Sequence, residues 1–185
     1  MSTCCRKMRY PPHTSYSLVQ LQVIAQNYEL DFFLAEGEEE LITLFEDITQ
    51  ESYQGGCHTG WYLPDHKVIL VDKFDKFTGW EVVFWHEMTH HLHELGMPFF
   101  VDQTTRRVFR QKIDECSREA LLPEFGREWR AYREYLSIPT ERGAWVCNWS
   151  TTSYIQRVCA SGTVPKSRKE LARLGLPVSE FKFIN

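Results

Sequence analysis

The residues whose types and spacing can carry chemistry are the two histidines and the glutamate of His86-Glu87-Met88-Thr89-His90. On an α-helix, residues four apart lie one turn above another on the same face. His86 and His90 can therefore aim two imidazoles at one tetrahedral ion, and zinc, one per chain, is the expected metal. Glu87 sits beside the first histidine, so its carboxylate can reach a water filling the ion's open position. A bound zinc lowers the pKa of that water to about 7 and polarises a carbonyl. Glu87 would take the proton as general base and return it to a leaving amine as general acid. The chemistry expected is peptide-bond hydrolysis.

The plain alternative is a pair of ordinary histidines on an amphipathic helix, since an isolated HExxH also occurs by chance. Context favours the metal: Val82, Val83, Trp85, Met88 and Leu92 flank the motif, and a strand precedes it. His91 and His93 are read as solvent-facing or supporting groups. His93 stands about 10 Å along a straight helix from His86, too far to share the ion. The metzincin spacing of a third histidine is absent.

The elements that must position these residues can be read from period and punctuation. Residues 1–16 form a polar, proline-bearing leader. Ser17 is the expected N-cap of a first helix, with Leu18, Leu21, Ile24 and Tyr28 at helical spacing behind it. Leu30 to Leu34 reads as a strand, and Glu38 to Gln50 as a second helix with Leu41, Leu44, Phe45 and Ile48 on one face. After Gly55-Gly56, Trp61 to Leu63 and Val68 to Val71 flank Pro64-Asp65, a hairpin pattern. Thr78-Gly79-Trp80-Glu81 has the form of a capping box for the motif helix, and Gly96 with Pro98 marks its end. Further helices are expected over Thr105 to Leu121 and Glu124 to Leu136. Ser150 and Ser167 read as caps of short helices.

Composition narrows the function classes. Apolar residues make up 43% of the 185-residue chain and aromatic residues 14%, enough for a packed core rather than a disordered chain. A formal net charge of −4 excludes a global field that gathers nucleic acid or anionic membrane. No apolar run is long enough to span a bilayer, and Met1 to Tyr10 lacks the hydrophobic stretch of a signal peptide. The cysteines, Cys4, Cys5, Cys57, Cys116, Cys147 and Cys159, form no CxxC pair, so reduced thiols in a cytoplasmic protein are expected. Cys57-His58, without distant partners, reads as a turn with a buried thiol rather than a second metal site.

Taken in this order, the parts resemble the ImmA/IrrE family of HExxH zinc metallopeptidases over roughly residues 17–125. The likeness rests on a leading helix and a glycine-bearing hairpin ending in Lys67-Val68-Ile69-Leu70-Val71-Asp72. The HExxH helix and a later helix ending in Ala120-Leu121-Leu122-Pro123 complete it. The resemblance implies an α+β, zincin-like domain, with a small mixed or antiparallel sheet packed on the HExxH helix and on further helices. It also implies a cytoplasmic regulatory protease that cleaves a protein such as a transcriptional repressor. In that picture Val68, Ile69, Leu70 and Val71 form an edge strand that receives the substrate as an added strand.

Family members place a third ligand, a glutamate, at the start of the Leu-Leu-Pro helix, just before an Ala-Asn step. Alignment on Pro123 puts that position at Arg110 to Lys112, which holds no carboxylate. Asp114, one turn further on the same face, is the preferred substitute, with Glu115 and Glu119 as alternatives. All three can equally be solvated charges, which would leave a catalytically inactive metallopeptidase-like regulator.

The expected organisation is a leader (1–16), a zincin-like metallopeptidase domain (17–136) and a C-terminal helical extension (137–185). The extension, with Lys166-Ser167-Arg168-Lys169 among its residues, faintly resembles a degenerate helix-turn-helix. A DNA-binding module is thus a further alternative, although packing on the catalytic domain is preferred.

Overall fold

The computed structural model describes residues 15–55, 59–74, 79–102, 107, 111, 138, 141, 144, 154–175, 178 and 181–184. Its first helix, α1 (Leu18–Gln26), starts where Ser17 satisfies two backbone donors reciprocally. The Ser17 hydroxyl accepts from the Gln20 amide at 3.3 Å, and the Gln20 side chain accepts from the Ser17 amide at 2.8 Å. Caps of this kind contribute about 1 kcal/mol. Strand β1 (Asp31–Ala35) follows, then helix α2 (Glu38–Thr49), which ends at Gln50 in the left-handed region.

Strand β2 (Gly60–Leu63) turns through a short 3₁₀ segment, Pro64–His66, into β3 (Val68–Asp72). β2 and β3 pair antiparallel with Trp61 opposite Leu70, while β1 and β3 pair parallel with Phe33 opposite Leu70. The strand order is β1-β3-β2, a mixed three-stranded sheet. Together with the helices it makes the chain α+β.

This order corrects one expectation. Val68, Ile69, Leu70 and Val71 are not an edge strand but the centre of the sheet, with neighbours on both sides. Their ladder groups are already paired, so no extended substrate can add there. Both faces of β3 are covered: Val68 and Leu70 meet Leu41, Leu44, Phe45 and Ile48 of α2. Ile69 and Val71 join the main core on the opposite face, beside Phe84 and Met88. Full burial of side chains of this size contributes about 1.5–3 kcal/mol each.

The motif helix α3 (Trp80–Glu94) runs through that main core. Gly96, at φ 99°, takes the left-handed position beyond its end, a conformation that costs a residue with a Cβ. Strand β4 (Phe99–Asp102) comes next, and it pairs antiparallel with β5 (Phe181–Ile184), so that Phe99 lies opposite Ile184. Neither strand was expected from the sequence.

Between them in the chain, residues 154–161 are helical, and Ser167 caps α4 (Arg168–Arg173), as anticipated. Ile155, Val158, Cys159 and Leu171 are buried in the same cluster as Leu21, Trp85 and Met88. Arg107 and Gln111 are helical, but most of the helices expected over 105–121 and 124–136 lies outside the described residues, as do Ser150 and Cys57-His58. No helix among the described residues is long and apolar enough to cross a membrane.

Candidate metal centre

α3 is buried on almost every side, as a helix through the middle of a core must be. Val83, Phe84, Trp85, Met88 and Leu92 supply its apolar contacts, and Thr89 returns its hydroxyl to the Trp85 carbonyl at 2.7 Å. Its N-cap is Gly79, which offers no side chain, while Thr78 lies outside the described residues. Glu81, expected to reach back to the cap, instead accepts from the Tyr16 amide at 3.1 Å and the Ser15 hydroxyl at 3.3 Å. That carboxylate fastens the entry of α1 to the start of α3.

Within this apolar helix the polar residues His86, Glu87 and His91 are nonetheless buried. Buried polar groups are tolerated only when they find partners. The Nε2 atoms of His86 and His90 lie 3.1 Å apart, and Glu141 Oε2 lies 3.2 Å from the first and 3.3 Å from the second. These atoms form a nearly equilateral triangle. A tetrahedral ion held about 2.0–2.1 Å from each ligand needs ligand atoms about 3.3 Å apart. The triangle therefore fits a small divalent ion without rearrangement, and two imidazoles with one carboxylate are donors that suit zinc.

Glu141 was not selected from the sequence. Glu141 is itself helical, and so is Ala144, which is fully buried in the main core. The carboxylates expected in this role, Asp114, Glu115 and Glu119, lie outside the described residues. Among the described residues, His86, His90 and Glu141 are the group with metal-ligand geometry.

Glu87 points from the same helix toward β2. A Cβ placed on Gly60 would stand 3.5 Å from Glu87 Oε1. Burial pushes this carboxyl above the usual carboxylate range; the two histidines act in the other direction. For His90, burial favours the neutral ring, but the Glu141 hydrogen bond and the charges of Glu87 and Glu141 outweigh it. The net shift is upward.

No family model, curated protein or solved structure matches the chain.

The neighbouring histidines stand apart from the triangle. His91 is buried rather than solvent-facing, with Nδ1 2.8 Å from the Tyr62 hydroxyl, and burial lowers its pKa. The same hydroxyl donates to Glu94. A carboxylate only accepts, so the phenol gives its proton to Glu94 and accepts from His91 Nδ1–H. Burial, and then Glu94, hold the Tyr62 phenol well above its ordinary range. His93 donates to the Met97 carbonyl at 3.1 Å and stacks on Phe99 with ring centres 3.9 Å apart. It finishes the helix rather than joining the metal site.

Proposed function

We propose that the protein is a zinc-dependent endopeptidase on a zincin-like α+β scaffold, with His86, His90 and Glu141 as the metal ligands. The observation that carries this reading is the triangle of ligand atoms with a buried glutamate, Glu87, next to His86 on the same helix. When bound, zinc supplies Lewis-acid chemistry, acidifying water to a pKa of about 7 and polarising a carbonyl.

The chain's own residues do the rest. Glu87 accepts the proton of the attacking water and hands it to the leaving amine. Its upward-shifted pKa suits both halves of that task, because a proton donor and acceptor works best with a pKa near the working pH. Apolar α3 and the sheet beneath it exclude bulk water from one side of the carboxylate.

Substrate docking moves from β3 to β2. The Asp72 amide donates to the Thr59 carbonyl at 2.9 Å, so Thr59 and Asp72 form a hydrogen-bonded pair. Alternation along an antiparallel ladder then turns the backbone groups of Gly60 and Tyr62 away from β3. An extended peptide adding a strand at this edge would run beside Glu87. The resemblance to ImmA/IrrE peptidases makes a protein such as a transcriptional repressor, cleaved in the cytoplasm, the substrate to try first.

The test is Glu87→Gln with zinc content and proteolysis measured side by side. Loss of cleavage with zinc retained is the expected outcome; full cleavage by this variant would rule the mechanism out.

A further inference from the structure

Helix α1 has an outer face that the core does not use. Leu21 and Ala25 on its inner side are fully buried, whereas Val19 and Val23, one turn apart on the outside, are 67% and 51% exposed. Single exposed valines need no explanation, but these two stand in a stretch without charge. From Tyr16 to Tyr28 the chain holds no acidic, basic or histidine side chain, although 25% of all its residues are charged. Gln20, Gln26 and Asn27 supply the exposed polar groups instead. Depletion of charge around apolar side chains is the compositional mark of a protein interface.

Beside the valines runs a groove. Tyr16, Val23, Ile24 and Asn27 line one wall, and Cys159 and Ala160 of the helical residues 154–161 line the other. Ridge and groove share one surface, which can therefore meet its own copy about a two-fold axis. Charge and hydrogen bonding narrow the occupant further. Each copy carries a formal net charge of −4, so two copies approach at least cost where neither presents charge. A carboxamide holds both donor and acceptor, so a face of Val, Gln and Asn satisfies a copy of itself. A charged partner would find no counter-charge here.

We propose that α1 is the contact of a weak, symmetric homodimer, with Val23 at the two-fold axis and Val19 of each copy seated in the groove of the other. An antiparallel crossing about residue 23 brings residue 19 opposite residue 27, which lines that groove. The Gln20 carbonyl oxygen is engaged by the Ser17 amide, which leaves its NH2 group to donate to Asn27 of the other copy. A helix of nine residues is about 14 Å long. Its contact falls short of the roughly 800 Å² per partner of a standard interface, so Kd should be about 100 µM. His86, His90 and Glu141 take no part in this surface, and the dimer stands or falls independently of the peptidase reading.

The experiment is sedimentation equilibrium on the full-length chain at loadings up to about 1 mM. It compares wild type with Val23→Lys, Val23→Glu, an equimolar mixture of those two variants, and Val19→Asp. Like charges meeting at the axis should weaken each Val23 variant alone by about tenfold or more. The mixture sets Lys against Glu and should return to within about threefold of wild type. Val19→Asp, placed in the first turn where a carboxylate suits the helix dipole, should fold normally yet lose association, because the apolar groove rejects it. Thermal melts should stay within about 2 °C of wild type for all three, since both valines face outward.

Association that survives unchanged in the single variants, or a mixture that associates no better than either component, overturns the two-fold contact. A wild type that stays monomeric throughout overturns the dimer and leaves the face to a helix of another protein.

Discussion

Replacing Glu141 with alanine removes one corner of the ligand triangle and leaves His86 and His90 in place on α3. Its cost can be worked from the geometry. Zinc held by four ligands binds with about 10–16 kcal/mol, or about 2.5–4 kcal/mol for each ligand. Losing the carboxylate should therefore weaken binding about 10²- to 10³-fold. At a free zinc concentration 100 times the wild-type Kd, binding stabilises the wild type by about 2.7 kcal/mol. For a chain of this size that corresponds to a Tm rise of about 5–10 °C. With affinity reduced 100-fold, the same zinc stabilises the variant by about 0.4 kcal/mol, a shift of about 1 °C. The assay is a chelator competition titration, with thermal melts in and out of zinc, on Glu141→Ala beside Asp114→Ala, Glu115→Ala and Glu119→Ala. Only the first should lose the zinc-dependent shift. The reasoning fails if Glu141→Ala keeps its Kd within about threefold of wild type, or if Asp114→Ala reproduces the loss.

Two further outcomes follow from the surroundings of the site. His90 has a raised pKa in the metal-free chain and must surrender its proton to bind zinc. Affinity should thus fall by about tenfold per pH unit below that pKa, and titrations at two pH values on either side of neutrality check it. The sign for stability is opposite: in the metal-free chain this contact stabilises below the unfolded pKa of about 6.5. That gain is lost as pH rises through the folded value, which metal-free denaturation at several pH values measures. At Gly60, alanine should cost about 1–3 kcal/mol in urea denaturation, because the Leu70 carbonyl oxygen at 2.9 Å is backbone and cannot step aside. A neutral Gly60→Ala variant would mean that β2 and α3 are not held so closely.

Local signals in the sequence were legible where local physics decides the structure. Ser17 with Gln20, Pro64 at the turn, the apolar face of α2 and Gly96 after α3 all act within a few residues of themselves. The HExxH spacing placed His86, Glu87 and His90 for the same reason. Position within the sheet was harder, yet the signal was present. Val68-Ile69-Leu70-Val71 is an unbroken apolar run without alternation, the pattern of a strand covered on both faces rather than an edge.

The third corner of the triangle depended on distance in sequence. Glu141 lies far beyond α3, and nothing in its neighbours marks it except a buried alanine one turn later. Asp114, which alignment on Pro123 suggests, lies outside the described residues. Glu81 shows the same limit: its spacing from Thr78 fits a cap, but Tyr16 and Ser15, remote in sequence, occupy its carboxylate. The β4–β5 pair joins segments whose short apolar runs carry no mark of each other.

That last pairing sets an order of events during synthesis. β4 leaves the ribosome directly behind α3, but its partner β5 is about 80 residues further on, which at about 5–20 residues per second is a wait of several seconds. Over the same interval Ile155, Val158, Cys159 and Leu171, which cover Trp85 and Met88 in the finished core, have yet to emerge. The histidine helix is therefore made early and enclosed late. A nascent chain carries it half-clothed, with large apolar side chains open to chaperones, and with its two histidines in place before Glu141 has been translated. The complete triangle of His86, His90 and Glu141 arises only after the later part of the chain has folded back over the earlier.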